Sequence, residues 1–322
     1  MKKPAIAVTM GDPCGIGPEI VIKTAADPAL REQCQMYICG SRDTLRNTAR
    51  QLNLAADIPT SFWENNIMDI PCDPTPPDAA GTVQAAGGKA AYDYIKKATE
   101  LAMAGEYGIS AVATAPINKE ALRAAGIRTI GHTELFGEFT GVKDPLTMFE
   151  TLGLRVFFLT RHVSLRQACD MVTEERITDY IVRCTDALAK IGVTGGTMAV
   201  AGLNPHCGEH GLFGTEEDAV RASVKRAREL GYNVEGPVSA DSVFHLAKTG
   251  RYSSVLSLYH DQGHIATKTL DFERTIAVTL GLPFLRTSVD HGTAFDIAGK
   301  GIASAVSMKE AVKLAVKYAI PR

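Results

Sequence analysis

Three histidines lie just beyond apolar segments that the sequence predicts to be β-strands. They are His162 after residues 156–160, His206 after residues 198–203, and His260 after residues 254–259. Ligands of open α/β sheets bind outside the carboxyl ends of the strands, so we expect these imidazoles at one edge of a sheet. Three imidazoles could hold one divalent metal ion and leave a coordination position open for a substrate. Their long separations match no short metal-binding motif, and three loop histidines with separate hydrogen bonds are the alternative.

Other polar runs lie at comparable places. They are residues 131–134 after a loop, residues 259–264 around a glycine, and residues 286–293 after an apolar segment. Such polar density is unusual for structural loops, which are rich in Gly, Pro, Asn, Asp and Ser. Lys268 and Arg286 could bind an anionic substrate, although a single Lys or Arg is more typical of a solvated surface.

Two glycine-bounded turns could contact a ligand. Gly11, Gly15 and Gly17 follow a predicted strand and open a helix, where backbone amides could face an anion, although a tight strand–helix turn is the simpler interpretation. Residues 292–301 form a second glycine-bounded segment that could wrap a cofactor. The sequence contains no GxGxxG, Walker A, GxSxG or HExxH motif, which argues against Rossmann, P-loop, serine-hydrolase and zincin functions.

The elements that would position these residues alternate between strand and helix. Further strands are predicted at residues 5–9, 36–40 and 111–115, and helices at residues 19–26, 41–53, 90–104, 176–191, 216–230 and 240–248. Residues 55–82 contain five prolines and are predicted to form surface loop and an edge strand. The alternation predicts an α/β fold in which helices cover both faces of a parallel sheet.

Length and composition exclude several classes of protein. The chain has 322 residues, enough for two domains, and a formal charge of −2 from 34 Lys and Arg against 36 Asp and Glu. Without a basic excess we expect no nucleic-acid partner, and without a long apolar run no membrane span. The apolar N-terminal segment is too short for a signal peptide, and the seven scattered cysteines predict no disulfide framework. The expected location is the cytoplasm.

Six ordered segments carry a resemblance to a known family. They are Gly11-Asp12-Pro13-x-Gly15-Ile16-Gly17-Pro18-Glu19, Thr114-Ala115-Pro116-Ile117-Asn118-Lys119, Gly131-His132-Thr133-Glu134, Gly202-Leu203-Asn204-Pro205-His206, His260-Asp261-Gln262-Gly263 and Arg286-Thr287-Ser288-Val289-Asp290-His291-Gly292-Thr293. Together they resemble the PdxA family, whose type member is 4-hydroxythreonine-4-phosphate dehydrogenase of pyridoxal phosphate synthesis. The resemblance extends from about residue 4 to residue 308.

The resemblance implies a fold similar to that of isocitrate and isopropylmalate dehydrogenases, with two α/β domains around a cleft. Residues 1–120 and 280–322 would form a discontinuous first domain, and residues 121–279 a second domain with the metal site and the dimer contacts. The family's site is shared across a homodimer, so we expect this chain to pair with itself. NAD would bind without a Rossmann fingerprint, which accounts for the missing GxGxxG motif.

The family's site residues can be carried over position by position. The metal ligands fall on His162, His206 and His260, for one ion of zinc, cobalt, nickel or magnesium. The contacts to a small phosphorylated substrate fall on His132, Thr133, Lys268 and Arg286. The adenosine-side cofactor loop resembles residues 292–301, with Gly292, Thr293 and Asp296 as its candidate NAD contacts.

Two positions depart from the family pattern. Ala277 stands where the family usually has an Asn that touches the substrate, and an unpaired substrate group there would cost about 1–3 kcal/mol. His264 follows Gly263, where biosynthetic members have an apolar residue. Both departures favour the branch that oxidises D-threonate 4-phosphate or D-erythronate 4-phosphate to dihydroxyacetone phosphate. The alternative substrates are 4-hydroxythreonine 4-phosphate and, beyond these, another acid such as an aromatic cis-dihydrodiol carboxylate.

The predicted reaction is an NAD-dependent oxidation of the C3 carbinol followed by loss of CO2. A bound divalent ion would polarise the hydroxyl group and stabilise the enolate. Lys268 is the candidate for proton handling or carboxylate neutralisation, and Asp241 is a weaker candidate for a base. A metal hydrolase or aldolase with the same three histidines and a metal-binding scaffold without turnover are the competing classes. Fluorescence titration with NADH separates the dehydrogenase from both.

Overall fold

The chain folds as two units, and the computed structural model describes residues 3–72, 79–129 and 131–319. Unit 1 comprises Met1–Pro145 and Ile276–Arg322, and unit 2 comprises Leu146–Thr275. Residues 121–145, which the sequence assigned to the second domain, lie in unit 1. Packing explains this placement, because Gly88 lies against the Ala121 backbone and the Tyr92 ring meets the Phe139 ring at 5.2 Å.

Strands occur in both units. They are β1 (Ala5–Thr9), β2 (Gln35–Gly40), β3 (Ile67–Asp69), β4 (Ile109–Thr114), β5 (Leu146–Thr151), β6 (Leu154–Phe158), β7 (Met198–Ala201), β8 (Val234–Val238), β9 (Ser254–Ser257), β10 (Ile276–Leu280) and β11 (Leu285–Ser288). The strand order is β3-β2-β1-β4-β11-β10 in unit 1 and β5-β6-β9-β7-β8 in unit 2.

Helices connect most of the strands, and the α/β class predicted from the sequence is confirmed. They are α1 (Gly17–Ala25), α2 (Pro28–Gln33), α3 (Arg42–Gln51), α4 (Thr60–Asn65), α5 (Ala85–Ala104), α6 (Lys119–Ala124), α7 (His132–Thr140), α8 (Leu165–Asp170), α9 (Glu174–Lys190), α10 (Glu217–Glu229), α11 (Ala240–Lys248), α12 (His260–Leu270) and α13 (Val306–Tyr318). In the part of the chain that the structure describes, no helix is both long and apolar enough to cross a membrane.

The strands are mostly parallel, as the sequence predicted, but two described strand pairs are antiparallel. β10 pairs antiparallel with β11, and β5 pairs antiparallel with β6. Leu152 and Gly153 join β5 to β6 with φ of +47° and +88°, the positive pair that a two-residue hairpin requires. A parallel pair needs a connection of about a dozen residues or more, so these short links allow only antiparallel pairing.

Three parallel strands of unit 2 bring their carboxyl ends to one edge. β9 pairs with β6 through Val255 and Val156, and with β7 through Leu256 and Val200. These four side chains have no exposed surface, and burial of each contributes about 1.5–3 kcal/mol. The loops that follow the three strands therefore begin from a rigid frame.

Unit 1 contains a similar frame. β4 lies parallel between β1 and β11, and the last residues of the three strands are in register, with Thr9 and Ser288 both beside Thr114. Side chains in register project to the same face of a sheet. A row of hydroxyl groups thus lies at the carboxyl edge of these strands.

Candidate active site

Arg286 is a buried cation at the carboxyl edge of unit 1. It lies within β11, is 4% exposed, and donates hydrogen bonds to the hydroxyls of Thr114 (2.9 Å) and Thr279 (3.1 Å). Its guanidinium carbon lies 5.5 Å from the centre of the Phe136 ring. Burial lowers the pKa of Arg286 to about 9, and the negative charge of Glu134 partly opposes this shift. Uncharged threonine hydroxyls are therefore the groups that hold this cation.

His132 lies close enough to Arg286 for the two to interact electrostatically. It is the first residue of α7, and its buried Nε2 atom has no hydrogen-bond partner. Burial and the positive charge of Arg286 lower the pKa of His132 well below its ordinary value, while a hydrogen bond with the Ala115 backbone opposes this shift. Thr133 follows in the same helical turn and is half-buried. A neutral imidazole with an unused nitrogen beside a desolvated guanidinium suits an anionic ligand.

His162 and His260 lie together in unit 2, as the strand-end argument predicted. Their ring centres are 6.0 Å apart. His260 begins α12, and its Nδ1 atom lies 2.6 Å from Oδ1 of Asp261. A carboxylate on one ring nitrogen orients the imidazole and leaves the other nitrogen available, as in many metal sites.

His206 occupies a different environment. Residues 206–210 all have positive φ, between +43° and +78°, and this left-handed turn places Nδ1 of His206 3.3 Å from Oε1 of Glu209. The buried carboxylate of Glu217 accepts hydrogen bonds from the amides of Leu203 (2.8 Å) and Asn204 (2.6 Å) and so anchors the segment before the turn. Within residues 3–72, 79–129 and 131–319, no three His, Cys, Asp or Glu side chains are arranged to hold a metal ion. The structure therefore does not assemble the predicted three-histidine set.

His264 packs one helical turn after His260. Its ring stacks on Phe158 at 4.6 Å, meets Phe149 edge-on at 4.4 Å, and lies 4.2 Å from the His260 ring. Burial, followed by the charges of His260 and Lys268, lowers the pKa of His264 to about 4. Its buried Nδ1 atom has no hydrogen-bond partner. No local sequence pattern predicted that Phe149 and Phe158 would pack against this imidazole.

The two predicted proton-handling residues lie on separate helices of unit 2. Lys268 is half-buried in the last turn of α12, with its Nζ atom 5.2 Å from the centre of the Phe272 ring. Asp241 is exposed in the first turn of α11.

A groove of about 600 Å³ in unit 1 lies beside the predicted cofactor loop. It is lined by α3, by the start of α1 and by the loop before α13, including Gly15, Glu19, Asn47, Gln51, Gly299 and Lys300. The three predicted cofactor residues are not part of this lining. Gly292 and Asp296 are exposed, whereas Thr293 is buried and its carbonyl accepts a hydrogen bond from the Ile16 amide at 3.0 Å. Thr293 thus supports the glycine turn that borders the groove.

Sequence reasoning missed several residues of these clusters. Thr279 and Phe136 contact the Arg286 guanidinium, and Glu217 shapes the His206 loop. The Thr114 hydroxyl also belongs here, although the sequence indicates Thr114 only as part of a family motif. The one available signal was that Thr114 ends an apolar strand, the position at which ligand contacts occur in such sheets.

A family profile described as "Pyridoxal phosphate biosynthetic protein PdxA" matches residues 32–315. The chain belongs to the PdxA family. A Fusobacterium nucleatum protein named "Putative D-threonate 4-phosphate dehydrogenase" is 56% identical over 324 residues, with 98% of this chain and 97% of that protein covered. A Symbiobacterium thermophilum protein of the same name is 54% identical over 327 residues, with the same shares covered.

Solved structures of the PdxA type have the same fold. The 4-hydroxythreonine-4-phosphate dehydrogenase of Klebsiella pneumoniae is 41% identical, with a TM-score of 0.86 over 99% of this chain and all of that chain. A terephthalate 1,2-cis-dihydrodiol dehydrogenase of Burkholderia xenovorans is 28% identical, with a TM-score of 0.68 over 98% of each chain. This PdxA-family chain is accordingly an oxidoreductase that acts on a CH–OH group.

Proposed function

We propose that the chain is an NAD-dependent, divalent-metal-dependent dehydrogenase of a 4-phosphorylated C4 hydroxy acid, with D-threonate 4-phosphate or D-erythronate 4-phosphate as its preferred substrate. A bound NAD would accept hydride from the C3 carbinol carbon, and the hydroxyl proton would be released. The resulting 3-oxo acid then loses C1 as CO2, and protonation of C2 gives dihydroxyacetone phosphate. The relatives that are 54–56% identical carry names that support this substrate class.

The observation that carries the proposal is the pairing of Arg286 with His132. A buried guanidinium held by threonine hydroxyls keeps its full charge available for an anion, and a bidentate contact suits phosphate or carboxylate oxygens. The unpartnered Nε2 atom of His132 would donate to, or accept from, a substrate oxygen beside it. Together they would fix the orientation of a substrate that carries two anionic groups, a phosphate and a carboxylate.

Two further residues would handle charge and protons. Lys268, at the end of α12, would neutralise a substrate carboxylate or move a proton at the hydroxyl group. Asp241 remains the weaker candidate, because its carboxylate is exposed on α11. Substitution of Lys268 by Met should therefore reduce kcat much more than substitution of Asp241 by Asn.

The residues present fit the two implied cofactors by their chemistry. The groove beside residues 299–301 offers glycine backbone, hydroxyl and amide side chains to a dinucleotide. His162 and His260 would hold a divalent ion with His206 as the third ligand, since imidazole is a donor that zinc, cobalt and nickel favour. When bound, NAD would accept hydride, and the metal would act as a Lewis acid toward the substrate hydroxyl.

Substrate preference is proposed to depend on Ala277 and His264. Ala277 pairs with Ser288 across the β10–β11 ladder and offers only a methyl group. His264 presents an imidazole nitrogen that has no partner in the protein. A 2-amino and a 2-hydroxy substrate differ in charge and in donor number, so a pocket suited to one leaves a buried group of the other unpaired.

The test compares kcat/KM for D-threonate 4-phosphate, D-erythronate 4-phosphate and 4-hydroxythreonine 4-phosphate by NADH formation. The wild-type chain should prefer a hydroxy acid, and Ala277→Asn should reduce that preference about tenfold, a change of roughly 1.4 kcal/mol. Ala29→Asn, at an exposed position of α2, is the matched control and should leave the ratios unchanged. If the amino substrate is clearly the best for the wild type, the chain is a 4-hydroxythreonine-4-phosphate dehydrogenase, the activity in the name of the Klebsiella structure.

A further inference from the structure

An ion pair on α1 holds the loop that borders the groove in unit 1. The Glu19 carboxylate, whose side chain is 4% exposed, accepts hydrogen bonds from the amides of Gly301 (3.2 Å) and Ala303 (2.7 Å). Lys23 donates to the carbonyl oxygens of the same two residues at 3.0 Å and 2.7 Å, and to Glu19 at 2.7 Å. The pair thus satisfies four backbone groups of a loop that lies about 280 residues away in the sequence.

This arrangement differs from an ordinary helical ion pair. Exposed i,i+4 pairs stabilise a helix by only about 0.3–0.5 kcal/mol. Here both charges are committed to loop backbone, and charge-assisted hydrogen bonds are roughly twice as strong as neutral ones. Gly299 and Gly301 have φ of +74° and +76°, so the loop adopts a conformation that few other residues would maintain without support.

The held loop forms one wall of the groove. Gly299, Lys300 and Gly301 line it together with Asn47 and Gln51 of α3, and Glu19 itself is part of the lining. Any movement of the loop would change the width of the groove. A displacement of one ångström is large compared with the tolerance of a hydrogen bond.

We propose that Glu19 and Lys23 are positioning residues that set the affinity for the dinucleotide by fixing residues 299–303. This inference rests on the proposed NAD dependence and goes beyond it, because neither side chain is assigned to the chemical step. Loss of the pair should weaken binding of the dinucleotide while leaving turnover of the saturated enzyme and affinity for the hydroxy acid unchanged.

The test uses Lys23→Met, with Lys23→Arg as the conservative variant. Lys89→Met is the matched control, since Lys89 forms an exposed i,i+4 pair with Asp93 on α5 of the same unit. Lys23→Met should raise the KM for NAD and the Kd for NADH about tenfold, with kcat and the KM for the hydroxy acid within twofold of the wild type. Lys23→Arg should remain within threefold of the wild type, and Lys89→Met should change none of these constants.

Hydrogen exchange in the ligand-free chain tests, independently of the cofactor, whether Glu19 and Lys23 hold residues 299–303. The amides of Gly301 and Ala303 should exchange at least tenfold faster in Lys23→Met than in Lys89→Met. An unchanged KM for NAD, an equal rise in the KM of both substrates, or unchanged exchange would overturn the positioning role alone. Failure of the wild-type chain to bind NADH would overturn the proposed function and this inference with it.

Discussion

Replacement of Arg286 by Met tests whether the buried guanidinium is kept for a ligand rather than for stability. Burial lowers the pKa of Arg286 from its ordinary value to about 9, and one pKa unit corresponds to about 1.4 kcal/mol. Because the folded-state pKa lies below the unfolded value, folding disfavours the charged form. The cost, at most about 5 kcal/mol, is fully present below the folded-state pKa and is relieved only as the pH approaches the unfolded value.

The hydrogen bonds of Arg286 offset part of this cost. Without the guanidinium, the Thr114 and Thr279 hydroxyls each lose a donor, at about 1 kcal/mol apiece. Arg286→Met should therefore raise the free energy of unfolding by about 1–3 kcal/mol in ligand-free neutral buffer, measured by urea denaturation. Its kcat/KM should fall by about 10²–10⁴, because lost charge-assisted hydrogen bonds to an anionic substrate cost about 3–6 kcal/mol in total.

Arg155 provides the matched control in unit 2. Its Nε atom lies 3.4 Å from the carboxylate of Glu150, which is 3% exposed. Arg155→Met removes this cation from beside a buried carboxylate and should lower the free energy of unfolding by about 3 kcal/mol. If Arg286→Met is destabilised to the same extent and keeps its kcat/KM, Arg286 is a structural residue and the anion-binding argument is wrong.

The remaining predictions concern the metal, a buried acid and the oligomer. His206→Ala should lose most bound metal, measured by mass spectrometry, and most turnover without unfolding; full activity of the metal-stripped variant would refute this. Burial raises the pKa of Asp12 from 3.8 to about 6. Ionisation of this carboxyl group therefore lowers the free energy of unfolding at pH values above about 6. Asp12→Asn keeps an acceptor for the Cys14 amide. It should raise the free energy of unfolding by about 1–2 kcal/mol near pH 7.5 but not near pH 4. An equal rise at both pH values would show that ionisation of Asp12 is not the cause. Light scattering should show a homodimer, and a fully active monomer would exclude a shared site.

The predictable parts of the fold were those with strong local signals. The apolar run that became β1 was predicted at its observed bounds, and the strand cores of β6, β7 and β9 were found. The helix that the sequence predicts from residue 90 begins at Ala85 in the structure. The predicted start is too late because Gly87 and Gly88 have a low helix propensity. A Cβ atom at Gly88 would lie 2.1 Å from the Ala121 carbonyl oxygen, so a contact distant in sequence requires the glycine.

The candidate site was predictable only where it follows strand ends. The rule that ligands bind beyond strand ends drew attention to His162 and His260, whose ring centres are 6.0 Å apart. It placed Arg286 after an apolar segment, whereas the structure places it within β11, beside Thr279 of an antiparallel neighbour. The hydrogen bond from Arg286 to Thr114 joins residues 172 positions apart, and no local pattern encodes such a contact.

Two of the buried polar atoms that lack a hydrogen-bond partner lie near the carboxyl edge of the strands of unit 1. Folded proteins pair the great majority of such atoms, so an exception needs an explanation. The Thr9 hydroxyl ends β1 beside Thr114, is fully buried and lacks a partner, as does Nε2 of His132. Arg286, within the adjacent parallel strand β11, adds a desolvated guanidinium that donates to the Thr114 hydroxyl. Ligands of such sheets bind at the ends of neighbouring strands. We therefore expect a bound substrate to supply the hydrogen-bond partners that these buried groups lack.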